Sequence, residues 1–223
     1  MEHSIGVPMQ IIEKIEDVNV KNNFLESIKI LEKNGFKTKQ IELPFLEYSL
    51  PSYYVIAPAE CSANLSRYDG IKFGYRCDNP KDLEDLYVRT RSEGFGEEVK
   101  KRILIGTYCL SAGYFDAYYI KAQKIRAMIT ESFKNAFKDV SVIAMPTCSN
   151  GAFELGSIQD PVKMYEQDIY TIPANLAGLP AISIPSGNTE EMPLGLQFIG
   201  NHLEEGKILN ISHQFQKLTN YHV

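Results

Sequence analysis

The stretch from Tyr170 to Pro185, Tyr-Thr-Ile-Pro-Ala-Asn-Leu-Ala-Gly-Leu-Pro-Ala-Ile-Ser-Ile-Pro, followed by Pro193-Leu-Gly-Leu-Gln-Phe-Ile-Gly200, constrains the fold of this chain more than any other segment. Two short apolar runs, Ala181 to Pro185 and Leu194 to Ile199, are held between proline and glycine, and runs of that length bounded by turn formers read as buried strands. Almost every residue here is apolar or conformational. Such residues shape a sheet and its turns, yet none can attack a carbonyl or move a proton. Any chemistry has to come from elsewhere in the chain.

The 223 residues, 44% hydrophobic, suffice for one buried core. With 23 basic and 28 acidic residues the net charge is −5, which argues against a chain that holds nucleic acid through its own phosphate-neutralising surface. A local basic patch stays open. The four cysteines, at 61, 77, 109 and 148, form no CxxC pair and have no histidine at ligand spacing, so they read as thiols of a reducing cytosol and not as a metal site. The N-terminus, Met-Glu-His-Ser-Ile-Gly-Val-Pro, lacks the charge and apolar run of a signal peptide. No window approaches the roughly 18 apolar residues of a membrane span. A cytoplasmic protein is expected.

Ile5 to Pro8 reads as a short strand, followed by a helix capped at Asn22 or Asn23 that carries Phe24, Ile28 and Leu31 on one face and stops at Gly35. Phe36 to Leu43 alternates as a second strand. Pro51 and Pro58 are expected to cut Phe45 to Leu65 into short helical pieces, because proline lacks the amide that a helix interior needs, and Asp69-Gly70 closes that region with a turn. Asn79-Pro80 should open a charged helix that Gly94 ends. From Glu97 a helix turns Val99, Ile103 and Leu104 inward. A longer one from near Asp116 carries Tyr118, Ala122, Ile125, Ile129 and Phe133 as a buried stripe. Val140 to Met145 is a strand ended by Pro146, Asp160-Pro161 opens a short helix that carries Met164 and Asp168, and Ile208, Ile211, Phe215 and Leu218 mark a last one. Strands alternating with helices predict one α/β unit over residues 1–223, with a mixed central sheet flanked by helices.

A serine or cysteine hydrolase needs a nucleophile, a base beside it and donors for the oxyanion. The histidines, at 3, 202, 213 and 222, cluster near the two ends, and neither a Gly-x-Ser-x-Gly elbow nor a GxxxxGK[ST] phosphate loop occurs.

Five blocks taken in order point further. Tyr53-Tyr-Val-Ile-Ala-Pro-Ala-Glu60, Asn64-Leu-Ser-Arg-Tyr-Asp-Gly70, Thr90-Arg-Ser-Glu-Gly-Phe-Gly96, Gly106-Thr-Tyr-Cys-Leu-Ser-Ala-Gly-Tyr114 and the opening Ile-Gly-Val-Pro segment resemble the amidase signature family. Within it they are similar to the glutamine-hydrolysing A subunits of tRNA-dependent amidotransferases, from Ile5 to about Leu209. Pro173 to Pro185 alone would indicate only the wider family. The resemblance implies a serine nucleophile, a second serine on a cis peptide and a lysine, all in the half of the domain that precedes this one. The Gly/Ser-rich signature is absent here, since the chain has neither a Gly-Gly nor a Ser-Ser pair. No catalytic residue is therefore assigned, and the chain reads as the C-terminal half of an amidase-signature fold.

Free glutamine carries an α-carboxylate and an α-ammonium, so its site wants a cationic fork at one end and a carboxylate at the other. The resemblance implies that Arg102 takes the carboxylate, Asp168 the amine, and Tyr53 contributes beside them, with Tyr54 as the alternative register. On residue type alone, Arg102 reads as part of an exposed Lys-Lys-Arg run, Asp168 as a solvated acid or a partner for a neighbouring amide, and Tyr53 as core. Arg67, Asp69 and Arg76 suit a loop that faces a partner or the nucleic acid, or plain surface charge, and Thr147 a cleft wall or a turn contact. The implied partners are the N-terminal half of the amidase domain, the amidotransferase B and C subunits, glutamine, and tRNA through the complex. ATP and magnesium would belong to the B subunit, with no cofactor in this chain. A hydrolase of another amide, or a non-catalytic assembly module, are the alternatives.

Overall fold

In a computed structural model, the structure describes residues 4–189 and 192–221, which leaves His3 and His222 outside. The chain forms two compact units, Met1–Leu50 with Arg126–Val223, and Pro51–Ile125.

The first unit is built on a sheet of five strands among the described residues: β1 (Ser4–Val7), β2 (Lys37–Gln40), β3 (Val142–Pro146), β4 (Ala181–Asn188) and β5 (Pro193–Gly200), in the order β2-β1-β3-β5-β4. β1 runs parallel to both β2 and β3, whereas β5 is antiparallel to β3 and β4. The sheet is thus mixed, as read from the sequence. All five residues of β3, in the middle of the order, are buried. β2 is shorter than the alternation from Phe36 to Leu43 suggested, although Ile41 and Leu43 beyond its end are buried.

After the short α1 (Met9–Ile12), α2 (Val18–Lys33) packs Val20, Phe24, Ile28 and Leu31 inward. Its cap is Asp17, whose Oδ1 accepts from the amides of Asn19 at 2.8 Å and Val20 at 3.3 Å, and not Asn22 or Asn23. The apolar stripe begins at Val20, a full turn before Phe24, so the helix starts earlier than Phe24 alone implied. Asn23 faces the sheet instead. Its Nδ2 donates to the Ser186 carbonyl at 2.9 Å, and Ser186 Oγ donates back to Asn23 Oδ1 at 2.7 Å.

The boundaries between the units fall inside α3 (Ser49–Leu65) and α6 (Lys121–Ala136). α3 is one helix of 17 residues, not the set of short pieces expected from its prolines. Pro51 lies in the first turn, where the amide has no helical partner. Pro58 sits in the interior, but Ile56 and Ala59 beside it are buried, and packing overrides the local penalty. α4 (Leu83–Gly94) is capped by Asp82, whose Oδ1 accepts from the Asp85 amide at 2.8 Å. Asn79 is no cap; it takes a left-handed conformation, φ 48°, in the preceding loop.

α5 (Glu97–Cys109) runs straight through Gly106, which is buried together with Cys109. Leu104 points outward, 71% exposed, contrary to its expected inward face. Between α5 and α6, Phe115–Ile120 forms a π-helical turn. Its wider register carries Tyr118 to the surface, so the buried stripe of α6 starts at Ala122 and continues through Ile129 and Phe133.

In the first unit again, α7 (Pro161–Glu166) starts with Pro161 behind a genuine cap, as Asp160 Oδ1 accepts from the Val162 amide at 2.9 Å. α8 (Ile172–Ala177) ends at Gly178 in the left-handed conformation. α9 (Glu205–Leu218) buries Ile208, Ile211 and Phe215, while Leu218 at its end is exposed. Among the described residues no helix is long and apolar enough to cross a membrane.

Candidate functional site

In the second unit, α5 and α3 bring Arg102 together with Tyr53 and Tyr54. The two tyrosine rings meet edge to face, with centroids 5.1 Å apart. Arg102 Nε donates to Glu98 Oε1 at 3.0 Å, one turn earlier on α5, and its side chain is 39% exposed. The bond to Glu98 holds the guanidinium pKa above its usual value against partial burial, and Tyr53 and Tyr54 lie close enough to raise it further. Both phenols are half-buried. The result is a fixed cationic fork beside two hydroxyls, a combination suited to a carboxylate.

In the first unit, a cleft of about 330 Å³ opens where β3 ends. Thr147, Cys148, Phe153, Gln167, Ser183 and Gly195 line it. Thr147 extends the β3–β5 ladder, its amide donating to the Gly195 carbonyl at 3.0 Å, and its hydroxyl lies 2.6 Å from that of Ser183 on β4. Thr147 therefore lines the cleft rather than closing a turn. Sequence reading missed Gln167, Ser183 and Gly195. The available signal was phase: Ile-Ser-Ile and Leu-Gly-Leu each place one small residue inside an apolar alternation.

Asp168 is exposed in the turn between α7, which ends at Glu166, and α8, and not on the helix opened at Asp160 as expected. Its amide donates to the Tyr165 carbonyl, and its own carbonyl accepts from the amides of Thr171 at 3.1 Å and Ile172 at 3.0 Å. Nearby, the buried Gln197 Nε2 on β5 donates to the Tyr170 carbonyl at 2.9 Å, which ties this segment to the sheet. Although Cys148 is exposed, partial desolvation of its thiol pushes the pKa up, and the Asp168 carboxylate adds to that rise. Asp168 thus borders the cleft that Cys148 and Gln167 line.

The polar loop before α4 is held by its own charges. Asp69 Oδ1 accepts from the amides of Ile71 and Lys72, which lowers its carboxyl pKa. Arg76 Nη1 donates to the Gly70 carbonyl at 3.2 Å, and Arg67 is exposed. Among the described residues no group of three or more His, Cys, Asp or Glu side chains could hold a metal ion.

A family model described as Amidase matches residues 2–209. The chain is 54% identical over 219 residues to the glutamyl-tRNA(Gln) amidotransferase A subunit of Ruthia magnifica subsp. Calyptogena magnifica, an alignment that covers 98% of this chain and 46% of that protein. It is 53% identical over 220 residues to the A subunit of the same name from Hahella chejuensis, with the same coverage of 98% and 46%. Among solved structures, the glutamyl-tRNA(Gln) amidotransferase A subunit from Thermotoga maritima superposes with a TM-score of 0.73 at 39% identity, over 96% of this chain and 42% of that one. An amidase at 21% identity, with a TM-score of 0.75 over 97% of this chain and 46% of that one, shares the fold. The chain spans about half the length of the relatives it matches.

Proposed function

The chain belongs to the amidase family, and from that premise we propose that it forms the C-terminal half of the glutamine-hydrolysing subunit of an amidotransferase that converts Glu-tRNA(Gln) to Gln-tRNA(Gln). The observation that carries this reading is identity above 50% to A subunits along 98% of the chain. Such likeness spans the segments that carry Tyr53, Arg102 and Asp168 as well as the scaffold.

On this reading the serine nucleophile, its partner serine and the lysine come from the N-terminal half of the domain, and the present chain positions the substrate. Arg102 receives the α-carboxylate of glutamine in its planar fork, with the Tyr53 hydroxyl donating beside it, and Asp168 accepts from the α-ammonium. Holding the charged groups on the α-carbon leaves the side-chain carboxamide at the other end of the molecule for attack, which is where positioning contributes to rate. The released ammonia passes to the B subunit, which uses ATP and magnesium to activate the misacylated glutamate, and the C subunit helps to hold the assembly together. Such a complex works in the cytoplasm, where its tRNA is.

The test is to assemble the chain with the N-terminal half and the B and C subunits and to measure ammonia release from glutamine. The assembly is expected to be active and the isolated chain inactive. Arg102→Ala and Asp168→Asn should each raise KM by on the order of 30- to 150-fold, as expected for losing about 2 to 3 kcal/mol from a charge-assisted bond. Turnover by the isolated chain, or unchanged KM values, would sink this assignment.

A further inference from the structure

We propose that the hydroxyl pair of Thr147 and Ser183 is a substrate contact that reads a primary carboxamide. The inference rests on the glutaminase reading above. The two oxygens lie 2.6 Å apart within the cleft that Gln167 and Cys148 also line. One hydroxyl donates to the other, so the pair presents a remaining O–H together with lone pairs. It is at once a donor and an acceptor at nearly fixed separation. A carboxamide edge has the complementary pattern, an acceptor oxygen and a donor nitrogen roughly 2.3 Å apart, given C=O and C–N bonds of about 1.23 and 1.33 Å. Neither an ammonium, which only donates, nor a carboxylate, which only accepts, uses both halves of the pair.

The sheet keeps this pair accessible. Thr147 follows β3 and Ser183 lies on β4, with β5 running between them. At the crossing point β5 carries Gly195, where an added Cβ would lie 2.6 Å from Thr147 Oγ1 and 3.0 Å from Ser183 Oγ. Any side chain at 195 would force the hydroxyls apart or cover them. Two hydroxyls, one just after β3 and one on β4, and a missing side chain on β5 thus meet at one polar spot in the cleft that Asn150 and Gln167 also line.

The experiment compares glutamine with glutamate γ-methyl ester in the assembled enzyme, because the ester keeps the carbonyl but has no N–H to donate. Ser183→Ala and Thr147→Val are expected to raise KM for glutamine about five- to tenfold, the size of one neutral hydrogen bond, and to leave KM for the ester within about twofold. Thr147→Ser, which keeps the hydroxyl, should raise KM for glutamine less than Thr147→Val does. Gly195→Ala should reproduce the selective loss; if it fails to fold, the two hydroxyl variants carry the test. Equal shifts for both substrates, or no shift for glutamine, overturn the proposal while Asp168→Asn still raises KM for glutamine. An Asp168→Asn enzyme with unchanged KM, or an assembly that releases no ammonia from glutamine, overturns the glutaminase reading and this inference with it.

Discussion

A Cβ placed on Gly106 would lie 1.9 Å from the carbonyl oxygen of Pro58, so α5 and α3 meet backbone against backbone. Arg102 stands one turn before Gly106 on α5, and Tyr54 one turn before Pro58 on α3. This close approach brings the guanidinium within electrostatic reach of the two phenols. A turn further along α3, Ser62 and Thr107 bring their hydroxyls to 2.9 Å, which fixes the rotation of one helix against the other.

Gly106→Ala is therefore expected to cost about 1 to 3 kcal/mol, the range for overpacking a closed contact. The atom it meets is a backbone carbonyl, which cannot swing aside as a side-chain tip can. Urea denaturation would show the midpoint falling with an unchanged slope. A wild-type midpoint would mean that the two helices separate at no cost and that their contact does not hold Arg102 in place.

Local periodicity made much of the fold legible. The apolar runs of β3, β4 and β5 and the stripes of α2 and α9 each lie within one window, so the chain reports them directly. α3 was not legible, because the penalty at Pro58 is local whereas its compensation, burial of Ile56 and Ala59 and contact with Gly106, is not. Capping was half legible. The structure uses Asp17 and Asp82 where the sequence suggested Asn22, Asn23 and Asn79; the residue class was right, and only the three-dimensional start of each helix chooses among candidates. Arg102 and Asp168 entered as candidates only through family resemblance, since their own residue types favoured plain surface positions. Thr147 and Ser183 meet across 36 residues and an intervening strand, a relation that no spacing rule reaches.

The reciprocal bonds between Asn23 and Ser186 give a second prediction. Ser186 is 1% exposed, so Asn23→Ala strands its hydroxyl and carbonyl away from water. The expected loss is about 1 to 3 kcal/mol, the cost of leaving a buried polar group without its partner. Removing Ser186 as well should cost less than the sum of the two single changes. Chemical denaturation of Asn23→Ala, Ser186→Ala and the double variant gives the coupling, and strict additivity would show that the two residues act independently.

Cys148 reports on Asp168. Its thiol pKa is raised by partial desolvation and by the neighbouring carboxylate, so Asp168→Asn should lower it and increase the thiolate fraction. Since the thiolate is the nucleophile, alkylation by iodoacetamide at pH 8 should speed up about two- to fivefold, as for removing one nearby like charge. Peptide mass spectrometry resolves Cys148 from the buried Cys77 and Cys109, which serve as internal controls. An unchanged rate would show that the carboxylate does not face the thiol.

Alkaline pH probes the tyrosine cluster where α5 meets the π-helical turn. Tyr108 and Tyr114 have ring centroids 4.4 Å apart, with Tyr118 6.2 Å from Tyr108. The hydrogen bond to Tyr114 is the main cause that pushes the Tyr108 phenol up to about 12, and partial desolvation and the neighbouring phenols add to it. The ordinary value is about 10, so the folded state holds this proton more tightly than the unfolded chain. The sign follows: the stabilisation is fully present below pH 10 and is lost as pH rises through 12. Tyr114→Phe removes the hydrogen-bond partner, and one tyrosine of the variant should then titrate near 10 in tyrosinate absorbance. Its stability should also fall less steeply between pH 10 and 12 than that of the wild type. Identical absorbance titrations, after allowing for the one lost phenol, would show that Tyr114 does not hold the Tyr108 proton.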